Sequence, residues 1–244
     1  MIEAVTFDWW HTIAETPWPD YDNRMRAIRI EGIRDALGSE GIVLELDTLY
    51  RAYDGHTALL ASKWREQIDL TAEEQVGAFL QLVGLEETPE IRERVAEAFG
   101  RAIRVKPPIL YPNIVATLAR LRREGYRVGL VSNTGRTWGR FLRPIQDELG
   151  VGKHLEVRVF SDEVRARKPR KEIFEEALER MGVAPERAVH IGDDVDADVA
   201  GAKAMGMRAI WFNTGLWPNA RTDLADDELH DHASLFGILE RWNG

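Results

Sequence analysis

Apolar positions along the chain follow two different periods. Short apolar runs bounded by polar residues or Gly occur at Ile2–Phe7, Tyr126–Val131, Leu155–Phe160, Ala188–Ile191 and Arg208–Phe212, and each reads as a strand. The last four alternate with stretches of helical spacing at Pro112–Glu124, Trp138–Leu149, Lys171–Met181 and Asp196–Met205. Gly125, Gly182 and Gly206 stand just past three of these, where a helix ends most easily on Gly. Alternating strand and helix predicts an α/β fold, a doubly wound parallel sheet covered by helices on both faces.

Residues 17–108 carry a different pattern. No convincing strand run occurs, and apolar residues recur at helical spacing near Met25, Ile28 and Ile33, at Leu49, Tyr53, Leu59 and Leu60, and at Val76, Phe79 and Leu80. Thr71-x-x-Glu74 has the form of a capping box, and Thr88-Pro89 places a capping side chain before Pro at a first helical position. A small helical bundle inserted after the first strand is expected, with Pro107, Pro108 and Pro112 marking the return. The predicted division is a core of 1–16 and 109–244 and a helical domain of 17–108.

Composition narrows the function. The 244 residues carry a formal net charge of -9, which argues against a nucleic-acid binder or an anionic-membrane binder, since both need a basic face. A local basic pocket for a small anionic substrate remains compatible with it. There is no cysteine, so disulfides, thiolate catalysis and Cys-ligated zinc are excluded. The N-terminus lacks the features of a signal peptide, and no run of about 18 apolar residues suggests a membrane span. The expected location is cytoplasmic, and the oligomeric state is left open.

Three predicted strands stop on polar side chains: Ile2–Phe7 at Asp8, Tyr126–Val131 at Ser132 and Asn133, and Ala188–Ile191 at Gly192-Asp193-Asp194. Ligands of open parallel sheets bind beyond the carboxyl ends of the strands, so these groups are expected to converge. Each alone has an ordinary structural reading as a turn or cap residue. In Gly192-Asp193-Asp194-Val195-Asp196-Ala197-Asp198, Asp196 reads as one of the acids that favour a helix start. Two like charges ~4 Å apart repel by about 4 kcal/mol at an effective dielectric near 20, so carboxylates gathered with Asp8 want a cation. Hard oxygen ligands without His or Cys suit Mg²⁺. Lys168, before Pro169 and an amphipathic helix, is placed to project from a loop beside the same edge.

These residues resemble the haloacid dehalogenase-like hydrolase superfamily. The matching stretches are F-D-W-W-H-T-I (Asp8, Thr12), L-V-S-N-T-G (Ser132, Asn133), R-K-P-R-K-E-I-F (Lys168) and I-G-D-D-V-D-A-D-V-A-G (Asp193, Asp198). The resemblance implies a Rossmann-like core with 17–108 as its cap, and Asp8 as a nucleophile that splits one displacement into two. It implies that Asp8, the Trp10 backbone carbonyl and Asp193 hold Mg²⁺, with Asp198 or Asp194 supporting the metal. Ser132 would bind phosphoryl oxygens and Lys168 neutralise their charge, with Trp10, Thr12 and Asn133 beside the substrate.

One departure matters. Phosphatases of that family carry a second Asp two residues after the nucleophile, which protonates the leaving oxygen and later activates water. Trp10 stands there. General acid–base catalysis is typically worth ~10²–10⁴-fold, so ordinary alkyl phosphates are expected to be poor substrates. His11 is the nearest replacement, in a slot the family usually fills with Gly.

Three readings follow: a Mg²⁺-dependent phosphohydrolase acting on a small, anionic metabolite with a good leaving group; a metal-free 2-haloacid dehalogenase, whose halide needs no proton; and a catalytically impaired binding protein. Gly129-Leu-Val-Ser-Asn-Thr-Gly135-Arg136-Thr137 fails as a P-loop, having one residue too many and Arg for Lys. His190 is expected inside a buried strand, and His230 and His232 on the surface. Arg24, Arg26, Arg29 and Trp64 are unranked candidates for substrate selection, most of them expected to pack on helix surfaces.

Overall fold

The computed structural model describes residues 1–244. Its strands are β1 (Ala4–Phe7), β2 (Ala14–Glu15), β3 (Ile109–Leu110), β4 (Arg127–Ser132), β5 (Val157–Phe160), β6 (Ala188–Gly192), β7 (Arg208–Phe212) and β8 (Asp227–Leu229). Six of them form one sheet in the order β5-β4-β1-β6-β7-β8, and every pairing in it is parallel. β1 therefore lies between β4 and β6, which brings the ends of these three strands side by side. The short, polar β8 gave no hydrophobic signal.

The helices are α1 (Tyr21–Gly38), α2 (Leu46–Arg65), α3 (Ala72–Leu82), α4 (Pro89–Arg101), α5 (Ile114–Arg123), α6 (Gly139–Glu148), α7 (Ser161–Val164), α8 (Lys171–Met181), α9 (Gly201–Ala204) and α10 (Leu235–Asn243). Phe7 and Val5 pack with Leu118 of α5, Leu142 and Ile145 of α6, and Leu235 of α10 on one face of the sheet. Val131 and Val159 pack with Ile173, Phe174 and Met181 of α8 and Ala202 of α9 on the other. The three predicted glycines follow helix ends at φ of +90° (Gly125), +60° (Gly182) and +84° (Gly206).

Helices α1 to α4 share a separate apolar cluster that includes Ile30, Leu49, Phe79 and Phe99, closed by Trp138 from beside the sheet. The capping box of Thr71 and Glu74 forms as the spacing predicts, and the Thr88 side chain caps α4. Chain leaves and re-enters the sheet region through the antiparallel pair β2–β3, with Ala14 opposite Leu110. A second junction joins Ile68 to Ala166 in an isolated antiparallel bridge. Beside it, the fully buried Asp69 accepts hydrogen bonds from Trp64 Nε1 (3.1 Å) and Arg167 Nη1 (2.7 Å) and from Ser161 Oγ. Thr134 Oγ1 donates to Asp162 Oδ1 at 2.9 Å, and Gly139 N donates to the same oxygen at 3.2 Å. No helix is long and apolar enough to cross a membrane.

His232 corrects an expectation. It is fully buried, stacks on Phe212 at 4.3 Å between ring centroids, and its Nε2 lies 2.8 Å from the Thr12 carbonyl oxygen. Burial pushes its pKa down to about 4, so the neutral ring donates from Nε2 to that carbonyl. Its polar neighbours His230 and Asp231 hid a side chain that tethers the loop after Asp8.

Candidate active site

Asp8 follows β1 directly, and the two indoles after it point in different directions. Trp9 is fully buried in the core under the sheet, a burial worth about 1.5–3 kcal/mol for a large apolar side chain. Trp10 is half-buried and packs against Tyr21 of α1 at 5.9 Å between ring centroids. One indole anchors the loop after Asp8 while the other meets the helical segment. His11 has φ +57°, the left-handed region that Gly enters freely and a branched ring enters at a cost of about 1–2 kcal/mol.

Lys168 reaches in from the loop before α8, which begins at Lys171 as the periodicity predicts. Its ammonium donates to Asp8 Oδ1 at 2.7 Å, Asp198 Oδ1 at 2.6 Å and the Val131 carbonyl oxygen at 2.9 Å. Asn133, read as a substrate contact, fastens the Lys168 backbone: Lys168 N donates to Asn133 Oδ1 (2.8 Å), and Asn133 Nδ2 donates to Lys168 O (3.1 Å). His190, within β6, lies 3.0 Å from Asp198 Oδ1 through Nε2 and 2.9 Å from Thr6 Oγ1 through Nδ1. Burial lowers its pKa, so a neutral ring donates to Asp198 and accepts from Thr6. Asp194 Oδ1 caps the helical turns of Val195–Ala200, which lead into α9, by accepting from Asp196 N and Ala197 N, both at 2.9 Å. The cap is thus Asp194, with Asp196 in the first turn.

Charge in this cluster is unbalanced. Burial pushes Asp193 up to about 8, reinforced by the nearby Asp8 and Asp198 carboxylates. Burial raises Asp8 as well, against the pull of Lys168. For Asp198 burial is outweighed by Lys168 and His190, which hold it below the usual carboxylate range. Burial likewise opposes the Lys168 charge, and Asp198 and Asp8 together overcome it and raise its pKa. Ligand oxygens of Asp8, Asp193 and Asp198 all lie within 4.8 Å of one another, and all three residues are buried. One ammonium cannot neutralise three carboxylates, and the donors are hard oxygens, so this set fits a divalent cation such as Mg²⁺. The Trp10 carbonyl accepts no backbone hydrogen bond, which leaves it available to a cation. Trp211 Nε1 donates to the Asp193 carbonyl oxygen (2.9 Å) and Trp217 Nε1 to Asp193 Oδ2 (2.8 Å), fixing that residue's orientation. A Cβ at Gly192 would overlap the Asp198 carboxylate, so only Gly lets the strand end approach it.

Two hydroxyls are poised without partners. Ser132 Oγ and Thr12 Oγ1 are both fully buried, and neither makes a hydrogen bond in the protein. An unsatisfied buried hydroxyl is costly, and a ligand oxygen would satisfy it. Next to the site, Trp10, His11 and Asn133 line a polar cavity of about 870 Å³ that extends to α1 and α2.

With this geometry in view, likeness to known proteins becomes informative. Residues 2–206 match the model of the haloacid dehalogenase-like hydrolases. The chain belongs to that family. It is 28% identical to a glyceraldehyde 3-phosphate phosphatase of Methanopyrus kandleri over 98% of this chain and 97% of that one. A phosphoserine phosphatase of Thermus thermophilus is 34% identical over 71% of this chain and 66% of its own length. A solved 2-haloacid dehalogenase from Pseudomonas syringae pv. Tomato DC3000 superimposes with a TM-score of 0.71, covering 99% of this chain and 100% of that one. At 23% identity that likeness shows a shared fold alone. The relative from Methanopyrus kandleri, matched along nearly its whole length, is a phosphatase.

Sequence reasoning placed Asp8, Ser132, Lys168, Asp193 and Asp198 at one sheet edge, and the structure brings them together. It missed what His190 and Trp217 touch. His190 carried a signal, being a polar residue within a buried strand two positions before Gly192. Trp217 lies on a loop whose sequence points nowhere.

Proposed function

We infer that the chain is a Mg²⁺-dependent phosphohydrolase of a small phosphorylated metabolite, with Asp8 as nucleophile. The observation that carries this reading is the buried set of Asp8, Asp193 and Asp198 around a single Lys168. Asp8, Asp193, the Trp10 carbonyl and, beside them, Asp198 would hold the cation, which when bound would neutralise phosphoryl oxygens and the carboxylate excess. Lys168 holds Asp8 in place through one carboxylate oxygen, leaving the other free to attack phosphorus. Ser132 Oγ and Thr12 Oγ1 are donors without partners, suited to equatorial phosphoryl oxygens. His190 fixes Asp198, and Asp198 in turn fixes Lys168.

Trp10 sets the substrate's leaving group. Its indole has no titratable proton, so departure of the leaving group must proceed without help from that position. Acyl or anhydride phosphates meet that requirement and simple alkyl phosphates do not, unless His11, which burial keeps neutral, takes the proton role. Residues 17–108 form the cap in this reading, and 1–16 with 109–244 the catalytic core. The indole also favours a second reading, dehalogenation of a 2-haloacid, because a halide leaves without protonation; the carboxylate excess weighs against it. Phosphate release from acetyl phosphate, with and without Mg²⁺, tests the first reading. Asp8→Asn should abolish it in folded protein, and full turnover in that variant would sink the mechanism.

A further inference from the structure

Four arginines line the cavity beside the site, and they differ in how their charge is met. Arg26 pairs with Asp54 at 2.6 Å, and Arg167 pairs with Asp69 at 2.7 Å. Arg29 and Arg136 have no carboxylate partner at all. Arg29, on α1 and 7% exposed, donates only to neutral acceptors: the Phe99 carbonyl oxygen (3.2 Å), Tyr53 Oη (3.3 Å) and Thr137 Oγ1 (2.9 Å). Arg136, on the loop after β4, donates to His56 Nδ1 (3.3 Å) and Thr57 Oγ1 (2.6 Å) and lies over the Tyr53 ring at 4.4 Å. His56 is fully buried, and burial with the nearby Arg136 holds its pKa near 3, so it supplies no countercharge.

A guanidinium has five donor hydrogens, so both arginines retain unused ones. Taking a charge out of water without an opposite charge is expensive, more so for two like charges that both contact one tyrosine, Arg136 over its ring and Arg29 at its hydroxyl. Burial, with the neighbouring Arg29, lowers the Arg136 pKa, and Tyr53 and Asp22, the latter exposed at the mouth on α1, offset this only in part. The same cavity is bounded by Trp10 and Asn133, the residues next to the proposed nucleophile and Ser132.

We propose that Arg136, backed by Arg29, forms a subsite for a second anionic group of the substrate, so that the substrate carries a carboxylate or a second phosphate in addition to the scissile one. This rests on the phosphohydrolase reading of the neighbouring site. Arg136 contacts the group, Thr57 and Thr137 are the hydroxyls that hold the two guanidiniums in place, and Arg29 adds charge from beside the Tyr53 hydroxyl. A substrate whose tail carries no charge would lose this interaction, which makes the cavity a selector as well as a container.

The test compares two non-hydrolysable probes, 3-phosphonopropionate and propylphosphonate, by calorimetry on the full chain in Mg²⁺. They differ in a terminal carboxylate against a methyl group. The wild type should bind the carboxylated probe at least about tenfold more tightly, the effect of one charge-assisted contact. In Arg136→Gln the ratio should fall to within about twofold of one, and Arg136→Lys should keep an intermediate ratio. Should Arg136→Gln fail to fold, the ratio in Arg136→Lys decides: a drop supports the subsite and an unchanged ratio overturns it. Equal affinities in the wild type would overturn the subsite and leave the phosphoryl reading standing. Binding of neither probe would overturn the phosphoryl reading, and the subsite with it.

Discussion

Two buried polar regions of this molecule carry opposite imbalances of charge. At the ends of β1, β4 and β6, three carboxylates share one lysine. In the cavity between α1, α2 and the loop after β4, two guanidiniums have no carboxylate partner. A protein with net charge -9 has ample acid to satisfy Arg29 and Arg136, and it satisfies Arg26 and Arg167 nearby. Uncompensated charge at two adjacent places marks where ligands of opposite sign would bind: a cation at the strand ends, an anion in the cavity. A metabolite with a phosphoryl group and a second anionic group would span the two.

The comparison breaks most sharply at Asp8. Asp8→Asn keeps the shape of the acidic region and removes the attacking oxygen, so phosphate release should fall by ~10⁴-fold or more while the thermal transition persists. Lys168→Met removes the one positive charge from the acidic region. Leaving buried carboxylates unpaired should destabilise the metal-free protein by ~3–5 kcal/mol in urea unfolding, and Mg²⁺ should restore part of that loss. Arg29→Met, tested in parallel, removes a charge outside the acidic region, so Mg²⁺ should shift its stability no more than it shifts that of the wild type.

A smaller effect lies behind the cavity, where Asp162 accepts from Thr134 of its lining. Burial pushes Asp162 up to about 6 from an ordinary 3.8, against the hydrogen bonds from Thr134 and Gly139. Because the folded value is the higher one, its stabilising contribution is complete below pH 3.8 and is lost as the pH rises through 6. Asp162→Asn keeps an acceptor for both donors and never ionises. Its stability relative to the wild type should therefore rise by up to about 3 kcal/mol between pH 4 and 7.5, measured by urea unfolding. A constant difference across that range would show that Asp162 ionises freely. The smallest change expected is a gain. Trp10→Asp should raise hydrolysis of an alkyl phosphate by ~10²-fold relative to acetyl phosphate if only the proton-transfer group is missing.

The two regions were not equally legible in the sequence. Asp8, Ser132 and Asp193 each end an apolar run, so a parallel sheet places them together before any coordinates are known. The five strands and four sheet-flanking helices read from periodicity are present, whereas β8 and the β2–β3 pair are too short and polar to register. Arg136 could not be found this way. It follows Gly135 in a loop that looked like a failed P-loop, and its partners Tyr53, His56 and Thr57 come from α2, about 80 residues earlier. Arg29 was one of four equal candidates until the structure paired Arg26 with Asp54 and set Trp64 against Arg167. Burial of His232 escaped notice for a related reason, since a stacking contact with Phe212 leaves no trace in a polar local sequence.

Release of phosphate from acetyl phosphate and of chloride from 2-chloropropionate, each followed with Mg²⁺ and with a chelator, tests the central claim most directly. The account predicts Mg²⁺-dependent phosphate release that disappears in Asp8→Asn, and no chloride. Chloride release that persists in chelator, with acetyl phosphate left intact, would contradict it.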